Sequence, residues 1–314
     1  MRVAVVGAGG VGGFFGGLLA RAGEDVTFVA RGAHLEALRT RGLTVRSRRA
    51  GVFTVPVRAT DRTESVGPVD LVLVCVKTYD TESVLPQLPP LVGPDTAVLS
   101  LQNGVDNAER IARVMGGGHV LGAVAYVSSV LEAPGVVQQV AGAGRIVFGE
   151  FQGEASERAR RLLDVFRRAG IDAELSPDVR REIWQKFLFI CGFSGVTALT
   201  RLPIGTVLAC PETRQFFCGV LEEVREVARA GGVGLADDCV ERAVATAEGF
   251  EPWARGSLYA DLVAGRRLEL EALNATVVRL GRERGVPTPL NFAVYAALKP
   301  YAGGPVVPDP AASG

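Results

Sequence analysis

The chain is 314 residues long, enough for two domains with substantial cores. Apolar residues make up 48%, charged residues 22%, and acidic and basic side chains are equal in number. That balance excludes a disordered chain, and it gives no sign of a partner such as nucleic acid or an anionic membrane surface.

Only three of the 34 basic residues are lysines: Lys77, Lys186 and Lys299. Arginine serves solubility equally well but does not give up a proton near neutral pH, so each lysine position is informative. The five cysteines form no C-x-x-C pair, and the histidines are His34 and His119. No zinc pattern results, and an odd cysteine count without framework spacing reads as reduced thiols in a soluble, cytoplasmic protein.

Met1–Val6 is a Val-rich run that leads into Gly7-Ala8-Gly9-Gly10-Val11-Gly12. An apolar segment to Arg21 and a second β-rich run, Asp25–Ala30, follow. Strand, glycine turn, helix and strand open a βαβ unit, the context that gives G-x-G-x-x-G a physical meaning. Gly7 permits the tight turn, Gly9 lets a pyrophosphate approach the backbone, and Gly12 lets the helix pack on the strand. Residues 7–12 are therefore expected to hold a dinucleotide on the helix N-terminus, against the alternative of a ligand-free glycine turn. The second strand ends in Ala30-Arg31, with no Asp or Glu placed to hold a ribose 2′-hydroxyl. A guanidinium suits a 2′-phosphate by charge and by forked hydrogen bonds, so NADP is expected over NAD. The competing reading makes Arg31 a solvated loop charge.

Residues 43–47 and 52–57 read as a hairpin, Val69–Val76 and Ala97–Leu101 as buried parallel strands, and 105–115 as a helix. Three strand-like stretches are expected over 120–149, then a helix at 154–169 and a strand at 171–175. From Asp178 onward the signals are helical: 178–199, 211–230, 236–248, 257–264, 268–285 and 289–299, punctuated by prolines. The apolar run Phe187–Thr200 is shorter than a membrane span and reads as a buried helix. The expected fold is α/β: a Rossmann-type doubly wound sheet over 1–176, then an all-helical domain over 177–302. Residues 303–314 form a Gly/Pro/Ala/Ser tail expected to be mobile. The apolar C-terminal helices are compatible with a homodimer.

Further pieces point to one family. Val76-Lys77-Thr78 and Leu101-Gln102-Asn103-Gly104 follow two strand signals, at carboxyl ends where an open α/β sheet binds its ligand. Ile183-Trp184-Gln185-Lys186 opens the apolar helix, and Glu269 stands twelve residues after Ser257. Together these resemble the ketopantoate reductase (2-dehydropantoate 2-reductase) family, within the 6-phosphogluconate dehydrogenase-like superfamily, over the chain to about residue 300. The resemblance implies NADPH-dependent reduction of a small-molecule 2-keto acid, in that family ketopantoate to pantoate for pantothenate biosynthesis. It implies that Lys186 donates the proton and that Glu269 positions it and contacts the cofactor side. It places Lys77 and Asn103 beside the nicotinamide, a backbone contact near Ser128, and Asn103, Ser194 and Ser257 with Lys186 around the substrate.

The chemistry behind those roles is coherent. Hydride delivery to a carbonyl leaves alkoxide character, which an ammonium stabilises and protonates. Burial on an apolar helix is expected to lower the Lys186 pKa, with Glu269 opposing the shift. The structural alternatives are a snorkelling Lys186, a helix-start acid at Glu269 and a helix N-cap at Ser257.

The resemblance also breaks at specific positions. The family carries Asn four and eight residues after its lysine and three residues before its serine. Here those positions are Ile190, Ser194 and Ala254. Three readings stay open: ketopantoate reduction, reduction of a different and more apolar 2-oxo acid, and a non-catalytic NADP-binding sensor.

Overall fold

The computed structural model describes residues 1–152 and 154–305. The chain divides into two compact units, Met1–Ile183 and Trp184–Gly314.

The first unit is built on ten strands: β1 (Arg2–Val6), β2 (Asp25–Val29), β3 (Leu43–Ser47), β4 (Gly51–Val55), β5 (Arg58–Thr60), β6 (Val69–Val74), β7 (Val92–Ser100), β8 (Val120–Ala133), β9 (Val136–Gly149) and β10 (Asp172–Leu175). They order as β4-β3-β9-β8-β7-β6-β1-β2-β5, with β10 pairing β9. The pairs β1–β2, β1–β6, β6–β7, β7–β8 and β2–β5 are parallel. The β3–β4 and β8–β9 pairs are antiparallel. Helices α1 (Gly10–Arg21), α2 (Gly32–Arg41), α3 (Thr81–Val84), α4 (Asn107–Met115) and α5 (Glu157–Arg168) complete the unit.

The central strands read as unbroken apolar runs because both faces of the sheet are covered. Val3, Val5, Leu71 and Leu73 pack in one core with residues of α1, α2 and α5. Their neighbours Ala4, Val6, Val72 and Val74 pack in the opposite core with Val84, Leu85, Leu88 and Ile111. The fold class expected of residues 1–176, a doubly wound Rossmann-type sheet, is the one observed.

Residues 120–149 form two long strands rather than three short ones. Register shifts at Tyr126/Ser128, Ser128/Ser129 and Leu131/Ala133 break the alternation of side chains without ending the pairing. Glycines 142 and 144 adopt positive φ inside β9, so they mark irregularities in a strand and not turns between strands.

Helix α6 (Val179–Thr200) begins in the first unit and continues in the second. By length and composition it could cross a membrane, yet 61% of its most apolar window is buried inside the protein, as in a core helix. The second unit adds α7 (Ile204–Ala209), α8 (Pro211–Ala230), α9 (Cys239–Glu248), α10 (Ser257–Val263), α11 (Asn274–Arg284) and α12 (Pro289–Leu298). A buried polar chain ties three of these helical elements together. Asn274 donates to Asn291 Oδ1 at 2.9 Å, and Asn291 donates to Glu223 at 2.8 Å. Glu223 also accepts the backbone N–H groups of Leu290 and Asn291, capping the start of α12.

Helix α11 starts at Asn274, not at 268. Arg266 donates to Asp261 at 2.8 Å, and the Leu268 N–H reaches the Ala302 carbonyl at 3.1 Å, so the intervening chain is a fixed turn. Of the expected tail, Gly304 donates back to Tyr301 at 3.1 Å; residues 306–314 lie outside the described residues.

Candidate active site

The glycine turn is shaped by close backbone approach. Gly7 sits at φ +99°, and a Cβ there would lie 2.6 Å from the Val76 nitrogen. A Cβ on Gly12 would lie 2.1 Å from the Gly7 carbonyl oxygen, so α1 rests on the turn itself. A Cβ on Gly10 would meet the Ser129 carbonyl at 2.1 Å, which brings the bulged part of β8 against the start of α1. Gly9 differs: nothing lies within 4 Å of its Cβ position. It is the N-cap of α1 and supplies no side-chain cap, so the first-turn N–H groups of the helix adjoin open space. Ala8 is buried at the same turn, and Val11 is half-buried in the first turn of α1.

The sequence pointed to Ser128, which is exposed. Its neighbour Ser129 has a buried hydroxyl with no hydrogen-bond partner among the described residues, and its carbonyl lies against Gly10. The register shifts on either side of Ser128 decide which serine turns inward, and nothing in the sequence marks them.

The strand ends carry the other first-unit candidates. The Gly7 N–H donates to the Val29 carbonyl at 3.1 Å, which sets the glycine turn level with the end of β2. Arg31, two residues further, is exposed and caps α2 through its backbone. Lys77 is exposed just beyond β6. Gln102 fixes the segments after β6 and β7 to each other. Its amide donates to the Val76 carbonyl at 3.0 Å and to Thr81 Oγ1 at 2.8 Å, and it accepts from Ser100 at 3.0 Å. Asn107 at the start of α4 donates to the Asn103 carbonyl at 2.7 Å. The Val-Lys-Thr and Gln-Asn-Gly segments are thereby one bonded platform, and Gln102 is its tie.

In the second unit, Lys186 is carried by α6, which also carries buried Trp184 and Phe187. Burial pushes its pKa down to about 8, and the Glu269 carboxylate partly opposes that shift by charge. Lys186 itself is half-buried. Glu269 is 6% exposed. It lies in the turn before α11, held by the Leu268–Ala302 bond on one side and by Ala272 N–H donating to the Glu269 carbonyl at 3.2 Å on the other.

Ser257 is the exposed first residue of α10, with Gly256 as its N-cap, so it does not cap the helix. The Gly256 N–H donates to Thr197 Oγ1 at 3.0 Å, and a Cβ on Gly256 would lie 2.5 Å from Ser194 Oγ. The start of α10 is thus pressed onto α6. Ser194 is 4% exposed beneath it, and the missing Cβ of Gly256, which would lie 2.3 Å from the Ser194 Cα, is what allows the approach.

Ile190, one turn after Lys186, is half-buried, and so is Ala254. Phe189 and Phe193 stack at 5.3 Å, and Phe250 lies 5.8 and 5.2 Å from them. Phe189 and Ile190 follow Lys186 by three and four residues, the spacing that places side chains side by side on a helix. The surface next to the lysine is accordingly aliphatic and aromatic. Among the described residues no group of three His, Cys, Asp or Glu side chains could hold a metal ion.

Two family profiles match the chain: ketopantoate reductase PanE/ApbA over residues 3–153 and its C-terminal counterpart over 178–302. The chain belongs to the ketopantoate reductase PanE/ApbA family. Relatives align over nearly their whole length. The 2-dehydropantoate 2-reductase of Mesorhizobium japonicum is 32% identical, covering 96% of this chain and 98% of that protein. The uncharacterised Bacillus subtilis oxidoreductase YkpB is 30% identical, covering 96% and 99%. The crystal structure of a PanE/ApbA family ketopantoate reductase from Ralstonia eutropha JMP134 superposes with a TM-score of 0.89 at 35% identity, covering 96% and 98%.

Proposed function

We propose that this member of the family is an NADPH-dependent reductase of a 2-keto acid, 2-dehydropantoate to pantoate being the first-choice reaction. Residues 1–176 serve as the NADP-binding part and 177–302 as the substrate and catalytic part. The observation that carries the reading is Lys186: a lysine brought to a pKa of about 8 by burial, with a buried carboxylate beside it. An amine so tuned is largely protonated at neutral pH yet able to release its proton, as a general acid must be.

The glycine turn fits a dinucleotide pyrophosphate. Gly9 leaves a space that a Cβ would fill, and the N-terminus of α1 adjoins it. Gly7, Ala8, Gly9, Gly10, Val11 and Gly12 would hold the phosphates. Arg31 would take the 2′-phosphate by charge-assisted hydrogen bonds. Lys77, Asn103 and the strand at Ser128–Ser129 would line the nicotinamide side.

When bound, NADPH supplies the hydride that reduces the carbonyl carbon. The Lys186 ammonium stabilises the negative charge that grows on the carbonyl oxygen and delivers a proton to it. Glu269 holds that ammonium in place. Asn103, Ser194 and Ser257 are assigned to the substrate with Lys186; Ser194 lies directly beneath the start of α10.

A second reading, reduction of a different and more apolar 2-oxo acid, is favoured by Ile190, Ala254 and the Phe189–Phe193–Phe250 cluster on and around α6. A homodimer is proposed because the second unit exposes Phe250, Trp253, Val263 and Phe292.

Consumption of NADPH by purified protein with ketopantoate and with aliphatic and aromatic 2-keto acids tests the reading, with NADH in parallel. Turnover that Lys186→Ala abolishes while NADPH affinity is kept supports it. NADPH binding without turnover of any keto acid refutes it in favour of a sensor.

A further inference from the structure

His34 stands in the first turn of α2, half-buried, three residues past Arg31. Its Nε2 lies 2.8 Å from the Ala8 carbonyl oxygen, and its Nδ1 lies 2.9 Å from the backbone nitrogen of Gly135. A carbonyl only accepts and an amide N–H only donates. The ring is therefore neutral, protonated on Nε2, with the Nδ1 lone pair engaged by Gly135. Burial, which lowers the pKa of this histidine, favours the same form.

Gly135 forms the turn between β8 and β9, and that turn is seated on α2 and β3 by other contacts. The Thr44 N–H donates to the Gly135 carbonyl at 2.8 Å, and Arg41 donates to the Pro134 carbonyl at 3.3 Å. Gly135 sits at φ +83°, and a Cβ on it would be 3.1 Å from the Ala37 methyl. One side of the imidazole is thus fixed to a rigid platform, while the other reaches the second residue of the glycine turn. In a trans peptide the C=O and N–H point in opposite directions. Holding the Ala8 carbonyl towards His34 turns the Gly9 N–H away from it, and Gly9 is the glycine that borders open space.

Resting on the dinucleotide reading above, we infer that His34 is a positioning residue for the cofactor. It fixes the Ala8–Gly9 peptide so that the Gly9 N–H is aimed at the pyrophosphate before binding. Preorganised donors bind more tightly because no ordering cost remains to be met at association. Glutamine can replace the ring's two bonds, donating through Nε2 and accepting through Oε1; alanine can make neither.

The test is NADPH titration and steady-state kinetics of wild type, His34→Ala and His34→Gln, each checked by thermal unfolding. His34→Ala is expected to raise the NADPH Kd and KM about tenfold, the size of one well-placed hydrogen bond. The kcat and the keto-acid KM should stay near wild type, and His34→Gln should recover most of the loss. Unchanged NADPH affinity in His34→Ala, or a Gln variant as weak as Ala, overturns the inference and leaves the dinucleotide reading standing. Wild type that binds neither NADPH nor NADH overturns both. Should His34→Ala fail to fold, the nitrogen NMR spectrum of wild type decides: Nε2–H on His34 supports the inference and Nδ1–H overturns it.

Discussion

The pH dependence of reduction follows from the position of Lys186. With its pKa at about 8, about 90% of the protein carries the ammonium at pH 7 and about 10% at pH 9. The kcat/KM for the keto acid should therefore be level below about pH 7 and fall about tenfold per unit well above pH 8. An ordinary lysine would hold the rate level to about pH 10. Burial is the larger cause of the shift, and Glu269 opposes it. Glu269→Gln removes the opposing charge, so the alkaline limb should move to lower pH and the rate at pH 7 should fall. Lys186→Arg keeps the charge but cannot release a proton, and should lose most of the turnover while binding NADPH normally. Stopped-flow or steady-state NADPH consumption from about pH 6 to pH 10 measures all three. A wild-type profile level to pH 10, or a limb that Glu269→Gln leaves in place, refutes the reasoning.

Four further outcomes are expected. Arg31→Ala should weaken NADPH about ten- to a hundredfold and NADH little, as loss of charge-assisted bonds to one phosphate implies; equal effects on both cofactors in binding titrations would reject the assignment. Gly9→Ala should cost no more than about 1 kcal/mol in stability but abolish tight cofactor binding, whereas Gly12→Ala, with a Cβ 2.1 Å from the Gly7 oxygen, should cost about 3 kcal/mol or more in denaturant unfolding. Ser194→Asn should push Gly256 off α6, lower the melting temperature and raise the keto-acid KM more than the NADPH KM. The folded pKa of Lys186 lies below its unfolded value, so its charged form penalises the fold below about pH 8, and the penalty fades as pH rises towards 10.5. The stability of wild type relative to Lys186→Met should then rise by up to about 3 kcal/mol between pH 7 and pH 10; a constant difference would count against the buried ammonium.

Most of the first unit was legible because its signals are local. The glycine turn, the two-sided burial of β1 and β6, and the β3–β4 hairpin each follow from a few adjacent residues. What escaped was set by distant pairing. Two bulges choose Ser129 over Ser128, and neither leaves a mark in the composition of β8. The turn before α11 looked helical because the pairs Leu268/Ala272 and Leu270/Leu273 have i,i+4 and i,i+3 spacing; bonds to Ala302 and Asp261 override it. His34 could be weighed only as a metal ligand, because its partners are backbone groups 26 and 101 residues away. Lys186 was conspicuous because the whole chain has three lysines, whereas its pairing with Glu269 was implied only by the family resemblance.

On the proposed function, the two units would recognise their ligands by different means. The first unit would bind through backbone: positive φ at Gly7, contact at Gly10 and Gly12, open space at Gly9. A Cβ at Gly7, Gly10 or Gly12 collides with main chain, so the motif has little room to vary and reads clearly in the sequence. The second unit would work through side chains, with Ile190 and Ser194 on α6 and Ala254 shortly before α10. Side-chain volume there can be exchanged between neighbours, as the missing Cβ of Gly256 makes room for Ser194. Such trades leave the helices intact while altering which groups a substrate meets. The proposed proton donor, in contrast, has a chemistry that arginine cannot supply, and a chain that uses arginine almost everywhere else has a lysine at 186.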